Sequence, residues 1–298
     1  MTVLEVIQRS AKFLGEKGVE SPRLQAELLL AHQLKLPRMR LYLDFERALT
    51  PAELDAFREL IKRRGQREPL QHIVGSTSFC GLEIAVNRHV LIPRPETELL
   101  AERGWSFLNQ LSTSGSQSLT ALDFGTGSGC LAIALAWKCP AAAVWAVDIS
   151  AEALDLARQN AARHGMAERI RFLHGDGFGA VAPGVRFDLM VSNPPYIPSG
   201  EIATLQAEVR DYDPRGALDG GTDGLDYGRR LAAEAAGWLK PQGRLMMEFG
   251  DGQADRLREL FQEQKWIVES VVEDYTRRPR FLVAARSAAK PGAPGQPS

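Results

Sequence analysis

From about residue 120 onward the chain alternates short apolar runs with helical patterns, and few folds accept such alternation. The runs at 120–124, 142–147, 169–173, 187–192 and 243–248 have strand length. A strand followed by a helix and another strand reads as a crossover unit, so an α/β domain on a mostly parallel sheet is expected. Two final runs, Trp266 to Val272 and Phe281 to Ala285, are joined by only a short connection. Parallel strands need a crossover of a dozen residues or more, so this last pair should be antiparallel.

The first 65 residues read differently. Leu4, Ile7, Ala11 and Leu14 recur at helical spacing. Ser21-Pro22 supplies an N-cap with proline at the first helical position, and Thr50-Pro51-Ala52-Glu53 is a capping box. Strand-like residues from Thr77 to Val86 surround Cys80-Gly81 and suggest a hairpin. Two prolines in Leu91-Ile92-Pro93-Arg94-Pro95 forbid helix before Glu96, and a helix then runs to about Leu111. The polar stretch 112–118 reads as a long loop. The division expected is a helical domain over 1–74, a hairpin linker over 75–92, an α/β domain over 93–287 and a disordered tail over 288–298, where Pro, Gly and Ala dominate.

Composition excludes several classes of function. Net charge is −1, so nothing global draws the chain to nucleic acid or an anionic membrane. Residues 1–90 carry 14 Lys/Arg against 11 Asp/Glu. The excess clusters in Lys62-Arg63-Arg64 and Arg67, a solvated helix end or a face for gripping a partner protein. Cys80, Cys130 and Cys139 lack disulfide or zinc spacing, and His32, His72, His89, His164 and His174 form no metal-binding pair. No metal is expected. With no signal-like or membrane-length apolar segment, a cytoplasmic protein is expected, monomeric by default.

Chemistry enters at the strand ends. Ala121 to Leu135 is a strand, a glycine turn and a helix, with Gly125, Thr126, Gly127, Ser128 and Gly129 in the turn. A dinucleotide fingerprint would need its third glycine at position 130, which is cysteine. Asp148 closes the next strand. An acid there can accept hydrogen bonds from both ribose hydroxyls, roughly 1.5–3 kcal/mol each when charge-assisted. After the third strand come Asp176, Gly177 and Phe178, an acid for an adenine amino group and a packing surface. Adenosine chemistry without a pyrophosphate loop points to S-adenosylmethionine as cofactor.

The most specific signal is Phe187-Asp-Leu-Met-Val-Ser-Asn193-Pro194-Pro195-Tyr196. A strand delivers Asn193 to its end, and two prolines then fix the backbone while offering no N–H donors. A carboxamide nitrogen is a poor nucleophile because its lone pair is delocalised. Two acceptors, the Asn193 side-chain oxygen and the Pro194 carbonyl, can hold its two hydrogens, and Tyr196 offers a flat face to the planar amide.

On these residues the sequence resembles the HemK/PrmC family of peptide chain release factor glutamine N5-methyltransferases. The resemblance spans roughly residues 5 to 286. It includes Pro69 to Gly75, Leu91-Ile-Pro-Arg-Pro-Glu-Thr-Glu98, Asp123 to Gly129, Asn193 to Tyr196, Glu208 to Pro214 and Ala217 to Gly224. It implies a class I, Rossmann-like methyltransferase sheet with a terminal antiparallel hairpin and a small N-terminal helical substrate-recognition domain. It implies that Gly125 to Gly129, Asp148, the segment after Asp176 and Asn193 line the cofactor site. It also implies that Asn193 to Tyr196 hold a glutamine from the Gly-Gly-Gln loop of a class 1 release factor. Some members carry a large aromatic at the position of Gly177, so Phe178 is expected to substitute or that contact is lost. The Arg94 to Glu98 segment is expected near the cofactor, or as an ion pair at a helix start. Alternatives are a ribosomal-protein glutamine methyltransferase, a DNA or RNA exocyclic-amine methyltransferase, and a cofactor-binding module without turnover.

Overall fold

The computed structural model describes residues 1–115 and 118–287. In chain order, helices α1 (Val3–Glu16), α2 (Pro22–Leu34), α3 (Arg40–Leu43), α4 (Pro51–Gly65) and α5 (Leu70–Val74) precede strands β1 (Ser76–Phe79) and β2 (Leu82–Ala85). Then follow α6 (Pro95–Thr113), β3 (Leu119–Phe124), α7 (Cys130–Lys138), β4 (Ala142–Asp148), α8 (Ala151–Arg163), β5 (Ile170–His174) and β6 (Phe187–Ser192). Last come α9 (Ala207–Tyr212), α10 (Asp226–Glu234), β7 (Leu239–Glu248), α11 (Ala254–Glu263), β8 (Trp266–Glu273) and β9 (Pro279–Arg286). The tail from Ala288, expected to be disordered, lies outside the described residues, as do 116 and 117 of the expected loop.

One unit comprises Met1–Thr77, Ala85–Arg88 and Thr204–Asp213. Its capping box forms as read: Glu53 N–H donates to Thr50 Oγ1 at 3.3 Å, and Thr50 N–H donates back to Glu53 Oε2 at 2.9 Å. Ser21 precedes Pro22 as expected, but its φ is +48° and its side chain makes no cap bond. Leu14, Leu29, Leu30 and Phe57 are buried where α1, α2 and α4 meet. The basic cluster is largely consumed within this unit. Arg63 pairs with Glu68, while Arg64 and Arg67 both converge on Glu208, at 2.8 Å and 2.5 Å. Burial opposes ionisation of Glu208, but the bonds from Arg67 and Arg64 outweigh it and hold the carboxyl down at about 2. In the face expected to grip a partner, Arg63, Arg64 and Arg67 are therefore paired with acids of the same unit, and Lys62 lies 4.0 Å from Glu59.

The other unit contains the sheet. Its order is β5-β4-β3-β6-β7-β9-β8, seven strands among the described residues. β3, β4, β5, β6 and β7 pair in parallel, and β9 runs antiparallel between β7 and β8. Successive residues along a strand face opposite sides. Accordingly Ala121, Leu189 and Met246 join the core beneath α6 and α7, while Leu122, Met190 and Leu245 join the core beneath α10 and α11. β1 and β2 form the expected hairpin, with Cys80 and Gly81 both at positive φ in its two-residue turn. Phe79, Leu82 and Ile84 of this hairpin are buried in the α/β core.

Candidate active site

β3 lies between β4 and β6, so the chain reverses its direction of travel across the sheet at that point. Ligands bind outside the carboxyl ends of strands at such a switch. Ser192, the last residue of β6, donates its hydroxyl to the Phe124 carbonyl at 2.7 Å and ties the two strand ends together. The glycine turn after β3 and the Asn-Pro-Pro corner after β6 are thus neighbours.

The glycine turn presents bare backbone. Gly125 and Gly127 have positive φ, and a Cβ built on either would meet no atom within 4 Å. Gly127 N–H donates to Asp148 Oδ2 at 2.8 Å, and Ser150 N–H donates to Asp148 Oδ1 at 2.9 Å. Each carboxylate oxygen retains acceptor capacity beyond these bonds, which suits a ribose. Ser150, not Asp148, caps α8, through its hydroxyl to Ala153 N–H at 3.1 Å. Gly129 serves a different need: a Cβ there would lie 3.0 Å from that of Ala157, so glycine lets α7 start close to α8. Thr126 and Ser128 are buried. Thr126 donates to Asp123 Oδ2 at 2.6 Å, which also accepts from Ala132 N–H. Burial pushes Asp123 up to about 7 against those two bonds, and its Oδ1 has no partner among the described residues.

The corner after β6 is held from several sides. Asn193 Nδ2 donates to Thr97 Oγ1 at 3.1 Å, and Thr97 Oγ1 donates to Glu248 Oε2 at 2.7 Å. Tyr196 Oη donates to Glu248 Oε1 at 3.3 Å. Burial raises Glu248 to about 7 despite the bonds from Thr97 and Tyr196 and the charge of Arg280. Burial and the charge of Glu248 likewise raise the Tyr196 phenol. Behind the corner, Gln253 Nε2 donates to the Tyr196 carbonyl at 2.9 Å. Ile197 exchanges backbone bonds with Leu218 and Gly220. A side chain at Gly224, where φ is +76°, would collide with the Tyr196 carbonyl. The side-chain polar atom of Asn193 left unused is Oδ1, which is buried and has no partner among the described residues.

Comparison with known proteins joins these features to a family. Residues 5–75 match the PrmC N-terminal domain, and residues 104–208 match the methyltransferase small domain. The release factor glutamine methyltransferase of Chlorobaculum tepidum is 46% identical over 284 residues, covering 94% of this chain and 96% of that protein. The chain belongs to the release factor glutamine methyltransferase family. The Geobacter sulfurreducens member is 45% identical over 260 residues, covering 87% of this chain and 88% of that one. Among solved structures, a methyltransferase from Pyrococcus furiosus shares the fold, with TM-score 0.51 and 21% identity over 71% of this chain and 92% of that chain.

As a member of this family the protein is a methyltransferase with S-adenosylmethionine as cofactor. The open backbone at Gly125 and Gly127 and the acceptor capacity of Asp148 fit that group. The adenine end departs from expectation. Phe178 is only 3% exposed, stacked on Trp238 at 5.6 Å and tilted against Phe124 at 5.0 Å. It is a core residue and offers no free face to adenine. Nor is there room for an aromatic at 177, since a Cβ there would lie 2.8 Å from both Arg230 Nη2 and the Phe124 ring. Arg230 occupies that space, 5.8 Å above the Phe124 ring, and binds the Asp176 carboxylate and carbonyl. The Asp176 carboxylate is therefore shared with an arginine that the sequence did not bring to notice.

Of the Arg94 to Glu98 segment, Thr97 reaches Asn193, while Glu98 accepts from Cys80 N–H at 2.8 Å and braces the hairpin. Glu248, Gln253 and Arg230 were not singled out from sequence. For Glu248 a signal existed: an acid closes the otherwise apolar run Leu245-Met-Met, as Asp148 closes β4. No helix among the described residues is long and apolar enough to cross a membrane.

Proposed function

We propose that the chain transfers a methyl group from S-adenosylmethionine to N5 of the glutamine side chain in the Gly-Gly-Gln motif of class 1 peptide chain release factors. The observation that carries this reading is the buried Asn193 side-chain oxygen without a partner among the described residues, beside a corner whose two prolines offer no donors. A buried polar atom costs roughly 1–3 kcal/mol when unsatisfied, so an orphan at a strand-end crevice marks a ligand contact.

When bound, S-adenosylmethionine supplies a methyl carbon carried on a positively charged sulfur. The chain's own residues prepare the acceptor. Asn193 Oδ1 accepts one amide hydrogen and the Pro194 carbonyl the other, which fixes the amide plane and returns electron density to nitrogen. The Tyr196 ring bounds that plane. The nitrogen sheds one proton once alkylated, and the alkylated amide is acidic enough to need no strong base beforehand. Placement of this kind can supply up to about 7–11 kcal/mol. Release factors are the protein partner under this reading, in the cytoplasm, with a monomer acting alone. Incubation with purified release factor and isotopically labelled cofactor, followed by peptide mass mapping, tests it. One added methyl on the Gly-Gly-Gln glutamine is expected; a methyl on a different residue, or on RNA, overturns it.

A further inference from the structure

Asn193 can place its carboxamide in two orientations related by a half-turn, and only one is useful. With Oδ1 toward the acceptor it receives a substrate N–H; with Nδ2 there, donor faces donor. Something in the protein must choose. Thr97 Oγ1 carries a single proton, and that proton is directed at Glu248 Oε2, 2.7 Å away. The same oxygen is 3.1 Å from Asn193 Nδ2 and, having given its proton away, can only accept there. Thr97 and Glu248 are among the most buried polar residues of the chain, 2% and 1% exposed, so water does not compete for these bonds. Every group in the row is used in one sense, and the unused atom at its end is Asn193 Oδ1.

We propose that Thr97 and Glu248 are positioning residues for methyl transfer: a one-way hydrogen-bond relay from Asn193 to Glu248 locks the Asn193 oxygen toward the acceptor amide. This deepens the function proposed above and rests on it. Glu248 is a point of attachment for the whole corner, since its second oxygen receives Tyr196 Oη at 3.3 Å. Neither Thr97 nor Glu248 touches the reacting atoms; they act through Asn193. The relay also explains why an acid closes β7. When ionised, Glu248 is acceptor-only, whereas an amide at 248 could present its NH₂ to Thr97 at any pH, reverse the threonine proton and let it engage Asn193 Oδ1.

The test compares Thr97→Ser, Thr97→Val and Glu248→Gln. Removing one preorganised group from a transition state costs on the order of 10²-fold in kcat, and Thr97→Val should show that loss. Its cofactor affinity, measured by calorimetry, should stay within about twofold of wild type, since the relay does not touch the glycine turn. Thr97→Ser keeps the hydroxyl and should recover kcat to within a few-fold, and Glu248→Gln should fall between the two. Equal losses in Thr97→Ser and Thr97→Val, or a loss confined to cofactor affinity, overturn the relay. A second readout is independent of the substrate: the side-chain NH₂ resonances of ¹⁵N-labelled Asn193, assigned by Asn193→Ala. These should move in Thr97→Val and hold in Thr97→Ser. Unmoved resonances refute the relay, whereas an inactive wild type with the expected shifts would refute only the choice of substrate.

Discussion

Two loops at the carboxyl edge of the sheet, one after β6 and one after β5, were read from sequence with similar logic and turned out differently. After β6, the Asn193 amide nitrogen, the Tyr196 hydroxyl and the Tyr196 carbonyl are held by Thr97, Glu248 and Gln253, and the Asn193 side-chain oxygen has no partner among the described residues. After β5, the groups expected to meet a ligand already have protein partners: Asp176 has Arg230, and Phe178 has Trp238 and Phe124. A polar atom in a buried network tells of a ligand by what it lacks, and an exposed acid beside an arginine tells far less. The corner presents a buried acceptor, Asn193 Oδ1. The groups of the loop after β5 are instead engaged by Arg230, Trp238 and Phe124.

Several experiments sharpen or break that contrast. The largest effect should come from Asn193→Ala, which removes the leftover oxygen: kcat is expected to drop by roughly 10²–10³-fold, with cofactor binding weakened but still measurable by calorimetry. Unchanged turnover would remove Asn193 from the reaction.

Next in size is a pH effect on stability. Glu248 and Asp123 are both raised to about 7 by burial, so the folded chain binds protons that the unfolded chain releases above its ordinary carboxylate range. Stability contributed this way is present at low pH and is lost as pH rises from about 4.5 through 7. For Glu248 the rise from 4.5 to about 7 corresponds to an effect on the order of 3 kcal/mol. Urea midpoints at pH 5 and pH 8 should therefore differ less in Glu248→Gln than in wild type; equal differences would show that Glu248 titrates normally.

Arg230→Ala should act more gently, changing the cofactor Kd by less than about tenfold, roughly 1.4 kcal/mol, with kcat at saturating cofactor retained. A loss of kcat equal to that of Asn193→Ala would put the loop after β5 on the same footing as the corner. Tyr196→Phe should have the smallest effect, below about 1 kcal/mol in kcat/KM, because its bond to Glu248 is long at 3.3 Å and the ring is retained.

Much of the fold was legible because strands β3 to β7 are apolar runs punctuated by Gly or Asn-Pro, and because the crossover rule decides parallel against antiparallel pairing. The corner was legible for a local reason: Pro194 and Pro195 fix their own backbone whatever surrounds them. What was not legible depends on partners distant in the chain. Thr97 and Glu248 are separated by 151 positions, and no pattern near either names the other. Arg230 reaches Asp176 across 54 positions. The side on which Phe178 lies is not legible, because an aromatic after a glycine turn can face outward or inward, and Trp238 on a later segment decides the matter. The Arg64 and Arg67 charges looked free for the same reason, since Glu208 lies more than 140 residues on.

The central claim is that the chain keeps the Asn193 oxygen unsatisfied so that it can take a hydrogen from a glutamine amide. A crystal structure with S-adenosylhomocysteine and a Gly-Gly-Gln peptide measures this directly. The account predicts the glutamine nitrogen at hydrogen-bond distance, about 2.9 Å, from Asn193 Oδ1, with Asn193 Nδ2 still on Thr97. A glutamine seated away from residue 193, or an Asn193 oxygen turned onto Thr97 in the complex, would contradict it.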